Sequence, residues 1–168
     1  MKSTIRFNEA ANTYQCRNLN FVNVNESSEV EVDSSNNVLG LAVRDNARLD
    51  LEVSNNDEAF ELLIDDLAFY SEYSQYTPKK VSGYLLFGYA HNAHGLPFVI
   101  DPDSTPRQLV ITKNAAHTVT VVFDGNIVGM QTGVYGPIRQ LMLVDNIDGM
   151  SDCKFILNNI VYETLTGI

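Results

Sequence analysis

The stretch HTVTVVFDGN, residues 117–126, decides the fold class of this chain. Val119, Val121 and Phe123 occupy alternate positions in it, with Thr120 between the first two. Because successive side chains of a β-strand point to opposite faces of the sheet, this pattern predicts a strand with one buried and one solvated face. The DGN sequence at its end is a turn signal. The stretch therefore predicts one strand of an antiparallel sheet, and His117 is interpreted as the residue that opens it.

The same alternation recurs along the chain. It is present in FVNVN at 21–25, in SEVEVDS at 28–34 and most regularly in ARLDLEV at 47–53, while IRQLMLVDN at 138–146 is more fully apolar. Turn signals separate such runs at intervals of roughly 8–12 residues, a spacing typical of sandwiches and barrels and unlike that of βαβ units. We therefore expect an all-β fold, an antiparallel two-sheet β-sandwich, with residues 1–168 in a single domain.

The segment NNDEAFELLIDDLAF, residues 55–69, fits two structures. Its apolar positions include an i, i+3, i+4, i+7 set after an Asn-Asp cap, which predicts a helix: Phe60, Leu63, Ile64 and Leu67. The same segment also fits two strands, one through Phe60 and Leu62 and the next through Leu67 and Phe69. We expect the strands, because the neighbouring segments are all strands.

The C-terminal stretch KFILNNIVYETLTGI, residues 154–168, is an apolar strand-like run that Asn158 and Asn159 interrupt. The apolar residues before the asparagine pair fall out of the alternation of those after it by one position. A β-bulge at the pair would return four side chains to one buried face: Phe155, Leu157, Ile160 and Tyr162. We therefore interpret the asparagine pair as a structural feature and expect a bulge there.

Composition narrows the range of partners. The chain is 45% hydrophobic and 19% charged, which allows a sizeable core, and its formal net charge is −10. A chain this acidic repels phosphate backbones, so we expect no nucleic-acid partner. No apolar run approaches the ~18 residues of a membrane span, so no membrane insertion is expected. The N-terminal MKSTIRFNEAANTY has no apolar core region, and we expect no signal peptide in this chain.

The order of short motifs in residues 60–163 resembles a known group of domains. Three motifs carry the resemblance, and their residues are Val81, Gly83 and Tyr84, then Ile138, Leu141 and Leu143, and last Phe155, Leu157, Asn159, Ile160 and Tyr162. The chain resembles the jelly-roll domains of extracellular proteins with a PEP-type sorting signal and of carbohydrate-binding modules. The resemblance implies a jelly-roll β-sandwich that is extracellular, often glycan-binding or adhesive, and usually not an enzyme. Where that group has an aspartate before the final asparagine, this chain has Asn158, so no carboxylate role carries over.

Two polar stretches are candidates for ligand binding. Tyr70, Tyr73 and Tyr76 recur at every third residue, and tyrosine rings in a loop or at an edge offer flat apolar faces with a polar rim on which sugars and proteins pack. The second stretch, HNAHG, contains His91, Asn92 and His94. Because Gly95 and Pro97 follow, a loop that contacts a ligand is expected there in preference to a zinc site. For both stretches a purely structural role is the alternative.

An acidic turn and a cysteine pair complete the candidates. Asp145, Asp148 and Asp152 surround a glycine turn and are candidates for a calcium ion, with an ordinary hairpin turn as the alternative. Cys16 and Cys153 form either one disulfide or two buried free thiols. No GxSxG elbow is present, and no carboxylate pair is marked as catalytic. We therefore expect no enzyme, and no cofactor beyond calcium.

The expected function is a non-enzymatic surface recognition or adhesion module, with glycans as the leading ligand. The alternative is a self-assembling structural subunit of a virion (capsid decoration, tail or fibre) or of a cell-surface appendage. The expected partners are accordingly a glycan, a protein surface or further copies of the chain in a homo-oligomer. The expected location is extracellular or on a virion surface.

Overall fold

A computed structural model describes residues 2–6, 14–16, 19–22, 28–32, 35, 38–44, 48–53, 59–71, 81–88, 94–101, 107–146 and 153–165. Within these ranges the chain forms strands and no helix. The strands are β1 (Lys2–Arg6), β2 (Tyr14–Cys16), β3 (Leu19–Val22), β4 (Ser28–Val32), β5 (Val38–Arg44), β6 (Arg48–Val53), β7 (Phe60–Ser71), β8 (Val81–Phe87), β9 (His94–Ile100), β10 (Arg107–Lys113), β11 (Val119–Phe123), β12 (Asn126–Gln131), β13 (Ile138–Asn146), β14 (Cys153–Leu157) and β15 (Asn159–Thr164). A helix long and apolar enough to cross a membrane is not found in the same ranges.

The strands form two antiparallel sheets. One sheet has nine strands in the order β12-β11-β10-β7-β14-β5-β4, with β15 pairing to both β7 and β1. The other has six strands in the order β2-β3-β6-β13-β8-β9. The last strand therefore lies beside the first strand of the chain, as a jelly roll requires. The predicted all-β class, the two-sheet sandwich and its jelly-roll type are confirmed.

The core lies between the two sheets and follows the predicted alternation. In β11 the buried residues are Val119, Val121 and Phe123, while the residues between them are half-buried. Phe60 of the nine-stranded sheet stacks between Phe87 of the opposite sheet, at 6.3 Å between ring centroids, and Tyr162, at 5.2 Å. These rings join the two sheets at one end of the sandwich, and offset aromatic pairs of this kind add to the free energy gained by burial.

The ambiguous segment is one continuous strand, β7, so neither the helix nor the division into two strands is right. The strand remains continuous because it lies inside the nine-stranded sheet, with β10 on one side and β14 and β15 on the other. Asp65 and Asp66 are both exposed, so the series of buried positions that ends at Ile64 resumes at Leu67, one residue later than strict alternation would place it. This shift gives the apolar residues of the segment the spacing of a helix. The shift is a β-bulge of β7 against β10, and Asp66 adopts a positive φ of 55° in it.

The asparagine pair makes the matching shift in the neighbouring strand. β14 ends at Leu157 and β15 begins at Asn159, yet both pair with β7 in one register, from Ile156 opposite Ala68 to Asn159 opposite Asp65. Leu157, Ile160 and Tyr162 are all buried, so the inward-facing side changes by one residue at the pair, as expected; the side chain of Phe155 lies outside the described part. The pair adds no extra residue opposite β7, so the predicted bulge is wrong: the strand is interrupted there with its register kept. Because β7 and β14–β15 change their inward-facing residues at the same level, the sheet remains paired through the irregularity.

Candidate functional site

The most exposed aromatic ring in the described part of the chain belongs to Tyr135, 56% exposed, in the loop that joins β12 to β13. We call residues 132–137 the Tyr135 loop. Its sequence, TGVYGP, places a glycine on each side of the ring and a proline after it. Gly133 and Gly136 adopt positive φ angles of 69° and 93°, a conformation that other residues rarely adopt. The loop is therefore a tight turn that carries its tyrosine at the surface.

Hydrogen bonds fix this loop to both sheets. Near its start, the amide of Val134 donates to the carbonyl oxygen of His117 at 2.9 Å. At its end, the amide of Gly88, which follows β8, donates to the carbonyl oxygen of Pro137 at 2.9 Å. A Cβ atom on Gly136 would lie 2.4 Å from the Cα atom of Gly88, so this close approach requires glycine. The loop backbone is thus attached to the β10–β11 turn and to the end of β8.

A buried lysine supplies another attachment. Lys113, the last residue of β10, is 1% exposed, and its Nζ donates a 2.8 Å hydrogen bond to the carbonyl oxygen of Gly136. Burying an ammonium group is costly unless it is paired and hydrogen-bonded. Lys113 is placed there because it continues the inward-facing series of Leu109 and Ile111 at the end of the strand. It links the nine-stranded sheet to the loop that leads into the six-stranded sheet.

The ring of His117 packs against one face of the Tyr135 ring. The two rings lie 4.1 Å apart, centroid to centroid, with a 30° tilt between the planes. The turn that carries His117 is ordered by Asn114, whose Oδ1 accepts hydrogen bonds from the amides of Ala116 and Thr118, both at 3.0 Å. His117 has a positive φ of 61° and lies in this turn, and β11 begins at Val119. The interpretation of His117 as the residue that opens the strand is wrong, because the asparagine-capped turn extends through Thr118.

This arrangement gives a flat aromatic face on a rigid support. One side of the Tyr135 ring is covered by His117, and the loop that carries it is hydrogen-bonded to both sheets, so binding a ligand requires little ordering of the protein. The apolar face of a tyrosine with its polar hydroxyl suits a ligand that is apolar on one face and polar at its rim. The sequence signal for this site is a tyrosine with a glycine on each side and a proline after the second glycine, and this signal was not among the predictions made from the sequence.

Of the predicted histidine loop, His94 is the candidate that lies in the described part of the chain. His94 begins β9, is half-buried and pairs with Phe87, the residue before Gly88. His91 and Asn92, together with Tyr73 and Tyr76, lie outside the described residues. Tyr70 lies in β7 opposite Lys154, and its side chain is not described. The prediction that these residues bind a ligand stays a prediction.

The calcium and cysteine predictions also stay open. Asp145 lies in β13 opposite Ser82, while Asp148 and Asp152 fall outside the described residues. Among the residues that are described, no group of three or more histidine, cysteine, aspartate or glutamate side chains is placed to hold a metal ion. Cys16 lies in β2 of the six-stranded sheet and Cys153 in β14 of the other.

A second tyrosine marks the outer face of the six-stranded sheet. Tyr84 is 38% exposed, and the end of its side chain lies over Gly95, where a Cβ atom would come within 1.8 Å of the hydroxyl oxygen. Tyr84 therefore lies flat on its own sheet beside the exposed Pro97, its cross-strand neighbour. Tyr84 is less exposed than Tyr135, so it makes the weaker candidate of the two.

The fold is that of lectin-like jelly-roll domains. The carbohydrate recognition domain of Emp47p is similar over 96% of this chain and 94% of its own, with a TM-score of 0.52 and 9% identity. An alginate lyase from Corynebacterium sp. is similar over 97% of this chain and 93% of its own, with a TM-score of 0.51 and 8% identity. The alginate lyase AlgAT5 of polysaccharide lyase family 7 gives the same shares, a TM-score of 0.50 and 10% identity.

At such identities the likeness shows the fold alone, and both lectin and lyase domains share it. The predicted resemblance to carbohydrate-binding jelly-roll domains is confirmed at the level of the fold. No family model matches the sequence, and the search of curated proteins also gave no match.

Proposed function

We propose that this protein is a non-catalytic module that binds neutral glycans through Tyr135. The observation that carries the proposal is the 4.1 Å stack of Tyr135 on His117, which leaves the tyrosine 56% exposed on a loop hydrogen-bonded to both sheets. A pyranose ring has an apolar C–H face that packs on an aromatic ring and hydroxyl groups around its rim. The exposed Thr132 and Asn114 lie in the two segments that meet at this ring.

The charge of the chain favours a neutral ligand over an anionic one. With a net charge of −10, the protein repels a polyanion such as alginate at long range, and salt screens this repulsion only partly. A neutral sugar experiences no such repulsion. The Emp47p domain is described as a carbohydrate recognition domain, which agrees with binding, whereas the alginate lyases act on an acidic polymer.

The module is proposed to act without catalysis. Lysis of a polysaccharide needs a group that removes a proton and another that stabilises the developing charge, both within reach of one sugar unit. Among the described residues, two titratable side chains are seen to contact the Tyr135 loop: His117, stacked on the tyrosine ring, and Lys113, whose amine bonds to Gly136. Both have structural tasks in the loop. This point is tested by incubating the protein with alginate and following the ultraviolet absorbance of the unsaturated uronate that cleavage would produce. An increase in absorbance that depends on the protein would refute the proposal.

A glycan array followed by titration calorimetry on the best neutral oligosaccharide tests the binding proposal. Stacking of a nucleic-acid base on an aromatic side chain contributes about 1–3 kcal/mol; if the face of a sugar contributes the same, Tyr135→Ala should weaken binding by roughly 5-fold to 150-fold. Tyr84→Ala is the matched control, since it removes an exposed tyrosine from a different face. Tyr73→Ala and Tyr76→Ala examine the site expected from the sequence. Equal affinity of Tyr135→Ala and the parent protein would exclude Tyr135 as the site.

We propose that the module meets its glycan outside cells, in an extracellular or virion-surface location. Labelling of intact cells or particles with an antibody against the protein tests the location. Labelling only after permeabilisation would contradict it.

A further inference from the structure

The strand β12 forms one edge of the nine-stranded sheet. It pairs with β11 on one side, and no described strand pairs with its other side. An exposed strand edge carries free amide and carbonyl groups that pair readily with another chain, and proteins usually block such edges with charged residues or proline. The sequence of β12, NIVGMQ, contains neither. Ile127 and Met130 in this strand are 64% and 62% exposed, the highest values among the large apolar residues of the described part.

The neighbouring edge on the same side of the sandwich is blocked. Strand β9 ends the six-stranded sheet and lies against β12, where a Cβ atom on Gly129 would approach the Cβ atom of Phe98 to 3.2 Å. β9 carries the exposed Pro97 at its centre, and proline cannot donate to a further strand. The edge at β9 is therefore closed to pairing, whereas the edge at β12 is covered by none of the described strands.

An irregularity in β12 places its two exposed apolar residues on one face. Gly129 pairs with Val121, and Ile127 pairs with Val122, so Val128 is an extra residue in the strand. Val128 packs against the core. Ile127 and Met130, three positions apart, consequently both lie on the outer face of the sheet, where regular alternation would have put them on opposite faces.

The strand is self-complementary about its midpoint. From each end it reads amide, large apolar residue, small or β-branched residue: Asn126, Ile127, Val128 from one end and Gln131, Met130, Gly129 from the other. An antiparallel pair of two such strands places Ile127 of one copy opposite Met130 of the other, twice, and each Asn126 opposite a Gln131. A two-fold interface requires this kind of self-complementarity. The extra residue lies beside the axis, so it interrupts the ladder only at the centre.

Charge also favours this edge for contact between copies. Two chains that each carry a net charge of −10 repel each other, so a self-contact is least costly where carboxylates are few. β12 has none, and the nearest in the chain, Asp124, is neutralised by Arg107 at 3.2 Å between Nη1 and Oδ2. We propose that β12 pairs antiparallel with β12 of a second copy of this chain, which makes one continuous sheet across a two-fold dimer.

Sedimentation velocity over a concentration series tests the dimer. The parent protein should shift from monomer to twice the monomer mass as concentration rises. Ile127→Lys and Met130→Lys should each raise the dissociation constant at least about tenfold, because each change enters the interface twice. Val99→Lys is the matched control: Val99 is 44% exposed on the edge strand β9 and should leave the dimer unchanged. A monomer at every concentration, or a dimer that tolerates both lysines, would overturn the proposal.

Disulfide trapping tests the register independently of affinity. In the proposed pairing residue 127 faces residue 130 of the other copy, whereas the two copies of residue 127 lie roughly 10 Å apart, too far for a disulfide. A mixture of Ile127→Cys and Met130→Cys proteins should therefore form an oxidised dimer, and neither protein alone should do so. The parent protein, with Cys16 and Cys153, gives the background. A dimer from one variant alone, or none from the mixture, would refute this register.

Discussion

A methyl group added at Gly83 is expected to destabilise the sandwich through one contact. Gly83 lies in β8 with its missing side chain directed into the core, directly opposite Phe98 of β9. A Cβ atom at this position would lie 2.2 Å from Cζ, 2.3 Å from Cε2 and 2.7 Å from Cε1 of the Phe98 ring. Ordinary contact begins at 3.4 Å, so the ring has to move by about 1.2 Å.

The ring has little room for that movement. Phe98 is 3% exposed, and its Cβ atom already faces Gly129 of the opposite sheet. Overpacking of a closed core costs about 1–3 kcal/mol, and for a chain of this size each kcal/mol lowers Tm by about 2–4 °C. We expect Gly83→Ala to lower the free energy of unfolding by ~1–3 kcal/mol. In an unhindered strand, replacing glycine by alanine raises the free energy of unfolding by roughly 0.5–1 kcal/mol. A decrease in Gly83→Ala would therefore have the opposite sign to the effect expected without the clash.

Urea unfolding of a double-mutant cycle measures this effect. The midpoint should fall in Gly83→Ala with an unchanged m-value, as expected for a native-state clash. In a Phe98→Leu background the same glycine change should become neutral or stabilising, because the atoms that it meets are gone. If Gly83→Ala stabilised the parent protein, or cost the same with Leu at position 98, the ring contact would not be the reason for glycine here.

Three further outcomes follow from the packing and the turns. Tyr162→Ala should cost about 3–5 kcal/mol in urea unfolding, because Tyr162 is 1% exposed and stacks on Phe60; a loss under ~1 kcal/mol would contradict that burial. Gly125→Ala should cost roughly 1–2 kcal/mol from its φ of 80° alone, since nothing lies within 4 Å of the added Cβ, and Gly125→Asn should cost less. Lys113→Met should cost about 1–3 kcal/mol in urea unfolding, because the buried carbonyl oxygen of Gly136 loses this donor, and it should speed amide exchange in the Tyr135 loop by about tenfold or more; unchanged exchange would show that this bond does not order the loop.

Much of the fold was predictable because alternation is a local property. The pattern around Val121 gave both the strand and its buried face, and the turn after Phe123 gave its end. The asparagine pair was correctly interpreted as the place where the inward-facing side shifts by one residue, because Leu157 and Ile160 are both buried. The expected bulge was wrong, because the neighbouring strand β7 shifts at the same level and the register is kept. The segment around Asp66 could not be resolved in the same way. There the shift of the buried side in β7 gives the apolar residues a helical spacing. The matching shift lies in β14 and β15, which are distant in the sequence.

The candidate site was much less predictable. His94 was expected in a ligand loop, and it begins β9 beside Gly88, near the end of the sandwich where the Tyr135 loop is attached. Tyr135 itself escaped notice, because a single tyrosine between glycines has no periodicity. His117 was assigned to a strand because it precedes an alternating run, and the turn ordered by Asn114 had no strong local signal.

By itself the sequence determined that this protein is an all-β sandwich, which residues of its regular strands face inward, and where the C-terminal strand is interrupted. These depend on neighbours along the chain, where a period of two is visible directly. Only the tertiary structure decided that Tyr135 stacks on His117, that Lys113 reaches Gly136 across 23 positions, and that no described strand pairs with the outer side of β12. The reason is physical: strand order and loop contacts are set by pairing between distant segments, and alternation within a strand carries no record of its partner.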